Sequence, residues 1–378
     1  MRIHRKYCIA AFVVAPIALA AVPLVTAARR VAIETRRTTP VWMRQLHLRV
    51  RYLLFAVLTA AAHAANATEI RVAHALSDDS HVGRALAKVA DQLAKESAGR
   101  LVLKPLGKGI AGNDQKAMQD GIDGKLEIFI SSTTTIVPIY KPLALLDMPF
   151  LFTTPEEAHA VLDGKVGQQL LAGTSSGGLV GLVFWELGFR NLTNNLHPVT
   201  RLADFDGIRL RTMPSPLAID TFKRLGADAK PLPFPQLREA LATGAFDGQE
   251  NPLPTIVSAR LHEVQKYLTI TKHLYGAYGV MASKKWWDSL NRGDQELIRK
   301  AFWEARIFQR AESQRATDES LATIKAAGMK VAELDPGERW RISYRLEKVI
   351  APVAENAGLP LWIETTTELS RLRFVVPK

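Results

Sequence analysis

The stretch "EIRVAHALSDDSHVGRALAKVADQLAKESAGRLVLKPL", Glu69 to Leu106, decides the fold class. Its opening "EIRVAHAL" reads as a strand. The middle places Val82, Leu86, Val89 and Leu93 on one helical face and ends at Gly99, and "RLVLKPL" reads as the next strand. This is a β-α-β unit. It is followed by a helix ("DQKAMQDGIDG"), a strand ("LEIFISS"), a helix ("PEEAHAVLDGKVGQQLLAG") and a strand ("GLVGLVFWE"). Such alternation predicts an α/β fold with a mostly parallel sheet covered by helices, and ligands that meet the carboxyl ends of its strands.

From Gly188 the rhythm restarts, with strand "GIRLRTM", helices "PLAIDTFKRLGA" and "QLREALATGAF", and strand "HLYGAYGVMAS". A chain of 378 residues exceeds one ordinary core, so a second α/β lobe is expected. The run from Asp294 onward has no glycine until Gly328 and no proline, and it aligns Leu297, Ala301, Ala305 and Phe308 in a stripe. Some 30 helical residues would run about 45 Å, long enough to brace both lobes.

The formal charge of +12 is unevenly spread. Residues 1–67 hold ten bases and one acid, leaving +9, and the other 39 bases and 36 acids leave only +3. The body lacks a basic run interleaved with aromatics, which argues against nucleic acid as a partner. The leader has two apolar runs. The first, "CIAAFVVAPIALAAVPLVTAA", is interrupted by Pro16 and Pro23; a membrane anchor is its competing reading. The second restarts at Met43 with a basic segment, "YLLFAVLTAAA", and cleavage options after Ala64 or Ala67. Residues 43–67 therefore read as a complete signal peptide, with export to a periplasm and an over-extended start before Met43. The only cysteine, Cys8, lies in this leader, so the exported body can carry no disulfide or thiol nucleophile.

Enzyme signatures in the body are missing or nominal: there is no HExxH or P-loop, "GKGIAG" matches a dinucleotide loop only in its letters, and "GTSSGG" at Gly173 spells GxSxG but follows a helix and reads as a flexible turn, with no histidine or acid nearby in sequence. No histidine shares an i, i+4 metal pair with another histidine or a cysteine, so neither metal nor cofactor is expected. The polar residues that stand out instead follow apolar runs. In "GIRLRTMPSP", Arg209 and Arg211 share one strand face; a wet face is the commoner explanation of such arginines. Arg190 in "GFRNLTNN" and Asn251 in "GQENP" could each be turn residues. Taken with Arg211 they supply two guanidinium forks and an amide, the groups that hold a carboxylate in a fixed orientation.

Five motifs in order, "LDMPFLF", "FWELGFRNLTN", "GIRLRTMPSP", "GAFDGQENP" and "HEVQKYLTIT" followed by "SKKWWDSL", resemble those of the solute-binding proteins of tripartite ATP-independent periplasmic (TRAP) transporters, in particular the C4-dicarboxylate-binding branch. The resemblance runs from about Glu69 to the carboxyl end. It implies a two-lobed periplasmic-binding-protein (flytrap) fold with a ligand cleft between lobes, a long helix spanning both, no catalysis, and delivery of a small organic acid to TRAP membrane permease subunits. The layout expected is a leader over 1–67, a first lobe over 68–187, a second over 188–276 and a return to the first over 277–316. Residues 317–378 would finish the long helix and pack on the second lobe.

Carried over by residue, the resemblance makes Arg211 the carboxylate anchor, with Arg190 and Asn251 beside it. It puts His74 at the cleft, offers Ser131, Ser132 and Thr133, and makes Phe234 an aromatic wall; Arg209 is left as a solvated neighbour. Two departures stand out: "FPQLREAL" has Gln236 and Arg238 where the family has an acid and an aromatic, and "GKGIAGNDQ" has Gln115 in place of an arginine. Both bear on which acid is bound. A ligand-binding sensor subunit and a secreted hydrolase are the rival readings.

Overall fold

The computed structural model describes residues 50–51 and 67–374. The two apolar leader runs, Met43 and the cleavage point after Ala64 lie outside the described residues. Among the described residues no helix is long and apolar enough to cross a membrane.

The opening unit forms as its pattern predicts, with β1 Thr68–His74, α1 His81–Glu96 and β2 Leu101–Leu106. The Ser80 side chain accepts from the Gly83 N–H and caps α1, whose Val82, Leu86, Val89 and Leu93 are buried. Next come α2 Asp114–Asp123 and β3 Ile128–Ser132. The single helix expected over 155–173 is two, α3 Pro155–Asp163 and α4 Lys165–Gly173. Gly164, with extended backbone, separates them, and a Cβ at Gly167 would stand 1.9 Å from the Leu162 carbonyl oxygen, so the second helix crosses closely over the end of the first.

The sheet is mixed rather than mostly parallel. Its centre is an antiparallel pair of long strands, β4 Leu179–Asn194 and, near the end of the chain's α/β part, a partner over Tyr267–Ser283. Between them in sequence lie β5 Arg209–Thr212, α5 Pro216–Leu225, β6 Asp228–Pro231, α6 Leu237–Ala242 and β7 Gly248–Pro252. The Tyr267–Ser283 strand is thus β8, and the order is β2-β1-β3-β8-β4-β7-β5-β6. Strands β1, β2 and β3 form a parallel wing on the carboxyl half of β8, and β5, β6 and β7 a parallel wing on the carboxyl half of β4. These two wings are the two lobes, and the same two long strands run through both. Gly188 and Gly276 pair directly where the halves meet, and Gly188 adopts φ 103° next to a bulge.

Alternate residues of the first wing feed opposite faces: Ile128 and Ile130 join Leu86, Trp185 and Phe302, whereas Phe129 joins Leu146, Leu170 and Leu179. The second lobe has its own clusters, one around Leu210, Phe205 and Phe222 and one around Leu237, Leu253 and Ile256. Helix α7 Arg292–Ala326 has 35 residues, about 52 Å, and supplies both lobes. Its Ile298, Ala301, Phe302 and Ala305 enter the first-lobe core, and Ile324 the second. The buried stripe is therefore centred on Ile298 and Phe302, with the expected Leu297 and Phe308 at its margin.

After β9 Lys330–Glu333, which pairs with β8, come α8 Glu338–Arg345, α9 Glu347–Ala357 and α10 Leu359–Phe374. Only part of this segment packs on the second lobe. Ile342 and Leu346 join the Phe205 cluster, but Val353, Leu361 and Leu369 join the first-lobe core, and Arg373 pairs with Glu157 of α3 at 2.9 Å. The tail departs from the expected layout because its last apolar face finds the helices at the first lobe's edge.

Candidate ligand-binding site

The carboxyl ends of the parallel strands point inward from both wings and line a cavity of about 210 Å³. Ala75 and Leu76 follow β1, Ser132 and Thr135 end and follow β3, Met213 and Pro214 follow β5, and Asn251 lies near the end of β7. The long strands contribute Leu187, Arg190 and Tyr278 to its floor, and the loop "PLPFPQL" brings Phe234 to the wall.

Two arginines share this cavity in different electrostatic states. Arg190 is buried and forked onto Glu250: Nε and Nη2 donate to its carboxylate, the latter at 2.9 Å to Oε1, and Nη2 also reaches the Glu250 carbonyl and Asn251 Oδ1. Glu250 accepts further from the His273 ring at 3.2 Å. Burial alone would push the Glu250 carboxyl up, but the Arg190 charge and the His273 contact outweigh it and hold it at about 2. Arg211 makes no ion pair among the described residues. Its Nε donates to the Leu232 carbonyl at 2.9 Å, and its Nη1 is buried without a partner. Burial lowers its pKa to about 10. An orphaned guanidinium donor this deeply buried is costly unless a ligand satisfies it.

The strand carrying Arg211 also resolves its neighbour. Arg209 is half exposed and donates Nε to Asp247 at 3.0 Å, so the same strand face is wet at one position and lines the cavity at the next. Asn251 donates to Gln249 Oε1 and accepts from Arg190, fixing the amide and the fork together.

Five of the residues singled out from sequence, Arg190, Arg211, Asn251, Ser132 and Phe234, come together on this cavity. Three do not line it. His74 is buried beneath the 107–113 loop with both ring nitrogens unpartnered, 4.0 Å from Asp78, and burial lowers its pKa. Ser131 is not on the lining; its buried Oγ makes no hydrogen bond of ordinary geometry but lies close enough to the Asp114 carboxyl to pull its pKa down. Thr133 donates to Asp147 at 2.9 Å, inside the fold; burial pushes the Asp147 carboxyl up to about 7. Successive strand residues alternate faces, so a run such as "SSTTT" could deliver only some of its hydroxyls to one cavity.

Sequence reasoning missed Asp114, Lys108, Thr255 and Tyr278 on the lining. The signal available for Asp114 was the unusual loop "GKGIAGNDQ", which contains it. Arg238 lies off the cavity, exposed and paired with Glu263 at 2.8 Å.

Residues 72–356 match the family model described as bacterial extracellular solute-binding protein, family 7. This chain belongs to that family. It is a TRAP-type solute-binding protein by that membership, and it is similar along most of its length to several characterised members. A sugar acid binding protein of Advenella mimigardefordensis, solved with galactonate, is 37% identical and superposes with a TM-score of 0.78, covering 81% of this chain and 99% of that one. The 2,3-diketo-L-gulonate-binding periplasmic protein YiaO of Escherichia coli is 33% identical over 75% of this chain and 87% of its own length. The C4-dicarboxylate-binding periplasmic protein DctP of Rhodobacter capsulatus is 27% identical over 78% and 88%. The solute-binding protein's relatives thus bind both sugar acids and dicarboxylates.

Proposed function

We propose that this protein captures a small organic acid in the periplasm, with one ligand carboxylate on Arg211, and hands it to the membrane subunits of a TRAP transporter after cleavage of the leader near Ala64 or Ala67. The observation that carries this is the buried guanidinium of Arg211, which makes no ion pair and whose Nη1 has no partner, on the cavity between the lobes. Binding needs no chemistry: a ligand that contacts both lobes favours the closed state over the open one, with the paired Gly188 and Gly276 as the flexing point.

The C4-dicarboxylate expectation requires a second cation for a second carboxylate. Arg190 is neutralised by Glu250, so Arg211 is the one unpaired arginine on the lining among the described residues. The ligand class supported best is therefore a hydroxylated monocarboxylic acid of the sugar-acid kind, the class named for the Advenella and Escherichia coli relatives. The hydrolase reading has little to stand on. Ser132 donates to Thr134, and the hydroxyls of Ser175 and Ser176 donate to backbone carbonyls at a helix end, so none of the three faces a base. A sensor role would use the same closed form and differs only in the partner.

A thermal-shift screen of D-galactonate, D-erythronate, D-glucuronate, succinate and orotate tests the proposal. An acid at 100 times its dissociation constant adds about 2.7 kcal/mol of stability. A hydroxylated monocarboxylate is expected to give the largest shift. A folded protein that responds to none of these acids contradicts it.

A further inference from the structure

The carboxylate of Asp114 lies on the wall of the cavity and makes no ion pair among the described residues. An acid in a carboxylate-binding site needs a reason. Asp114 stands at the first turn of α2, and it is close enough to Arg211 for each to feel the other's charge. It also raises the pKa of the Tyr278 phenol, on the same lining, after the larger effect of that ring's burial. Arg211 and Asp114 together leave the inner cavity without net charge, because Arg190 is already balanced by Glu250.

Resting on the reading of a hydroxylated monocarboxylate, we infer that Asp114 is the residue that selects the uncharged, hydroxyl-bearing end of the ligand and rejects a second carboxylate. A carboxylate is acceptor-only when ionised, so it takes hydrogen bonds from ligand hydroxyls and can accept two at once. A second ligand carboxylate placed there meets a like charge, and like-charge juxtaposition is penalised. The lining's remaining cation, Lys108, is exposed and lies near Asp79, so solvent screens its charge. Burial already pushes the Asp114 carboxyl up against the opposing pull of the Ser131 hydroxyl and Arg211. A ligand hydroxyl that donates to this carboxylate offsets its burial, where a second anion adds to the charge already there.

The test compares calorimetric titrations of D-galactonate and succinate into the wild-type protein and into Asp114→Asn, which keeps the shape and removes the charge. The wild type is expected to prefer galactonate over succinate by at least 100-fold. Asp114→Asn is expected to weaken galactonate about 10-fold and strengthen succinate about 10-fold, collapsing the preference. Unliganded melting curves of both proteins, expected to coincide within a few degrees, show that the variant is folded; Asp114→Glu, which retains the charge, should still reject succinate. A wild type that prefers galactonate and an Asp114→Asn protein with the same preference overturn this inference alone. A wild type that binds neither acid, or prefers succinate, overturns the ligand class on which it rests as well.

Discussion

Arg190 and Arg211 sit on one cavity, both buried, yet the fold treats them oppositely. Around Arg190 it builds a closed cluster from three strands: Glu250 and Asn251 of β7, His273 of β8 and the Thr271 hydroxyl that meets the other nitrogen of that ring. Around Arg211 it supplies one backbone carbonyl and leaves a donor orphaned. A paired buried charge is a structural part, since removing its partner leaves an uncompensated ion. An unpaired one is a binding part, because folding has already met the desolvation penalty and the ligand collects the interaction. The same residue type in one cavity thus does two jobs, and pairing tells them apart.

The comparison breaks most visibly in stability. Glu250→Ala should destabilise the unliganded protein by about 3–5 kcal/mol, because it strands the Arg190 guanidinium. Arg211→Ala should leave stability unchanged or slightly raised, since it removes a buried guanidinium that makes no ion pair and leaves Nη1 unsatisfied. Urea midpoints of the two variants check this, and equal losses would erase the distinction.

Binding should show the reverse. Arg211→Ala removes the ligand's partner, which typically costs about 2–5 kcal/mol, on the order of 30-fold to several-thousand-fold in affinity. Thermal shifts with D-galactonate, read against the unliganded melting temperature, separate this loss from misfolding.

Acid and base limbs of the stability curve sharpen the picture of the closed cluster. Glu250, held at about 2, contributes stability that is present above the unfolded carboxyl range near about 4.3 and is lost as pH falls through that range toward 2. Asp147, pushed up to about 7, has the opposite sign: between about 4 and 7 the native state holds a proton that the unfolded chain has released, so its contribution falls as pH rises. Asp147→Asn, which still accepts from Thr133, should flatten the decline between pH 4 and 7 and leave the acid limb alone. An unchanged slope across that window would show that Asp147 ionises freely in the native state.

The smallest effects belong to the outward arginines. Arg209→Ala and Arg238→Tyr each remove a partly exposed ion pair, with Asp247 and Glu263 respectively. Exposed pairs contribute about 0–1 kcal/mol, so D-galactonate affinity should stay within a few-fold in both.

Much of this was legible in the sequence, and the omissions have physical causes. Local periodicity gave β1, α1 and β2 because their burial is set by one helical face and one alternation. It could not give the length of β4 or its antiparallel partner, since a strand buried on both faces reads as an apolar run and its pairing joins residues as distant in sequence as Leu179 and Ser283. Motif resemblance brought out Arg211, Arg190 and Asn251. It did not reveal that Glu250 occupies Arg190, because an ion pair between residues 60 positions apart depends on register between β4 and β7. Asp114 was hidden for the converse reason: a lone acid at a helix start ordinarily needs no ligand to explain it.

The account's central claim is that the unpaired fork of Arg211 holds the ligand carboxylate while Arg209, one pleat away on the same strand face, does not. Side-by-side calorimetric titration of Arg211→Lys and Arg209→Ala with D-galactonate tests it most directly. A lysine presents a point charge in place of two parallel donors, so Arg211→Lys should lose at least 30-fold in affinity, and Arg209→Ala should stay within about three-fold of wild type. A fully active Arg211→Lys protein, or equal losses at the two positions, would contradict the claim.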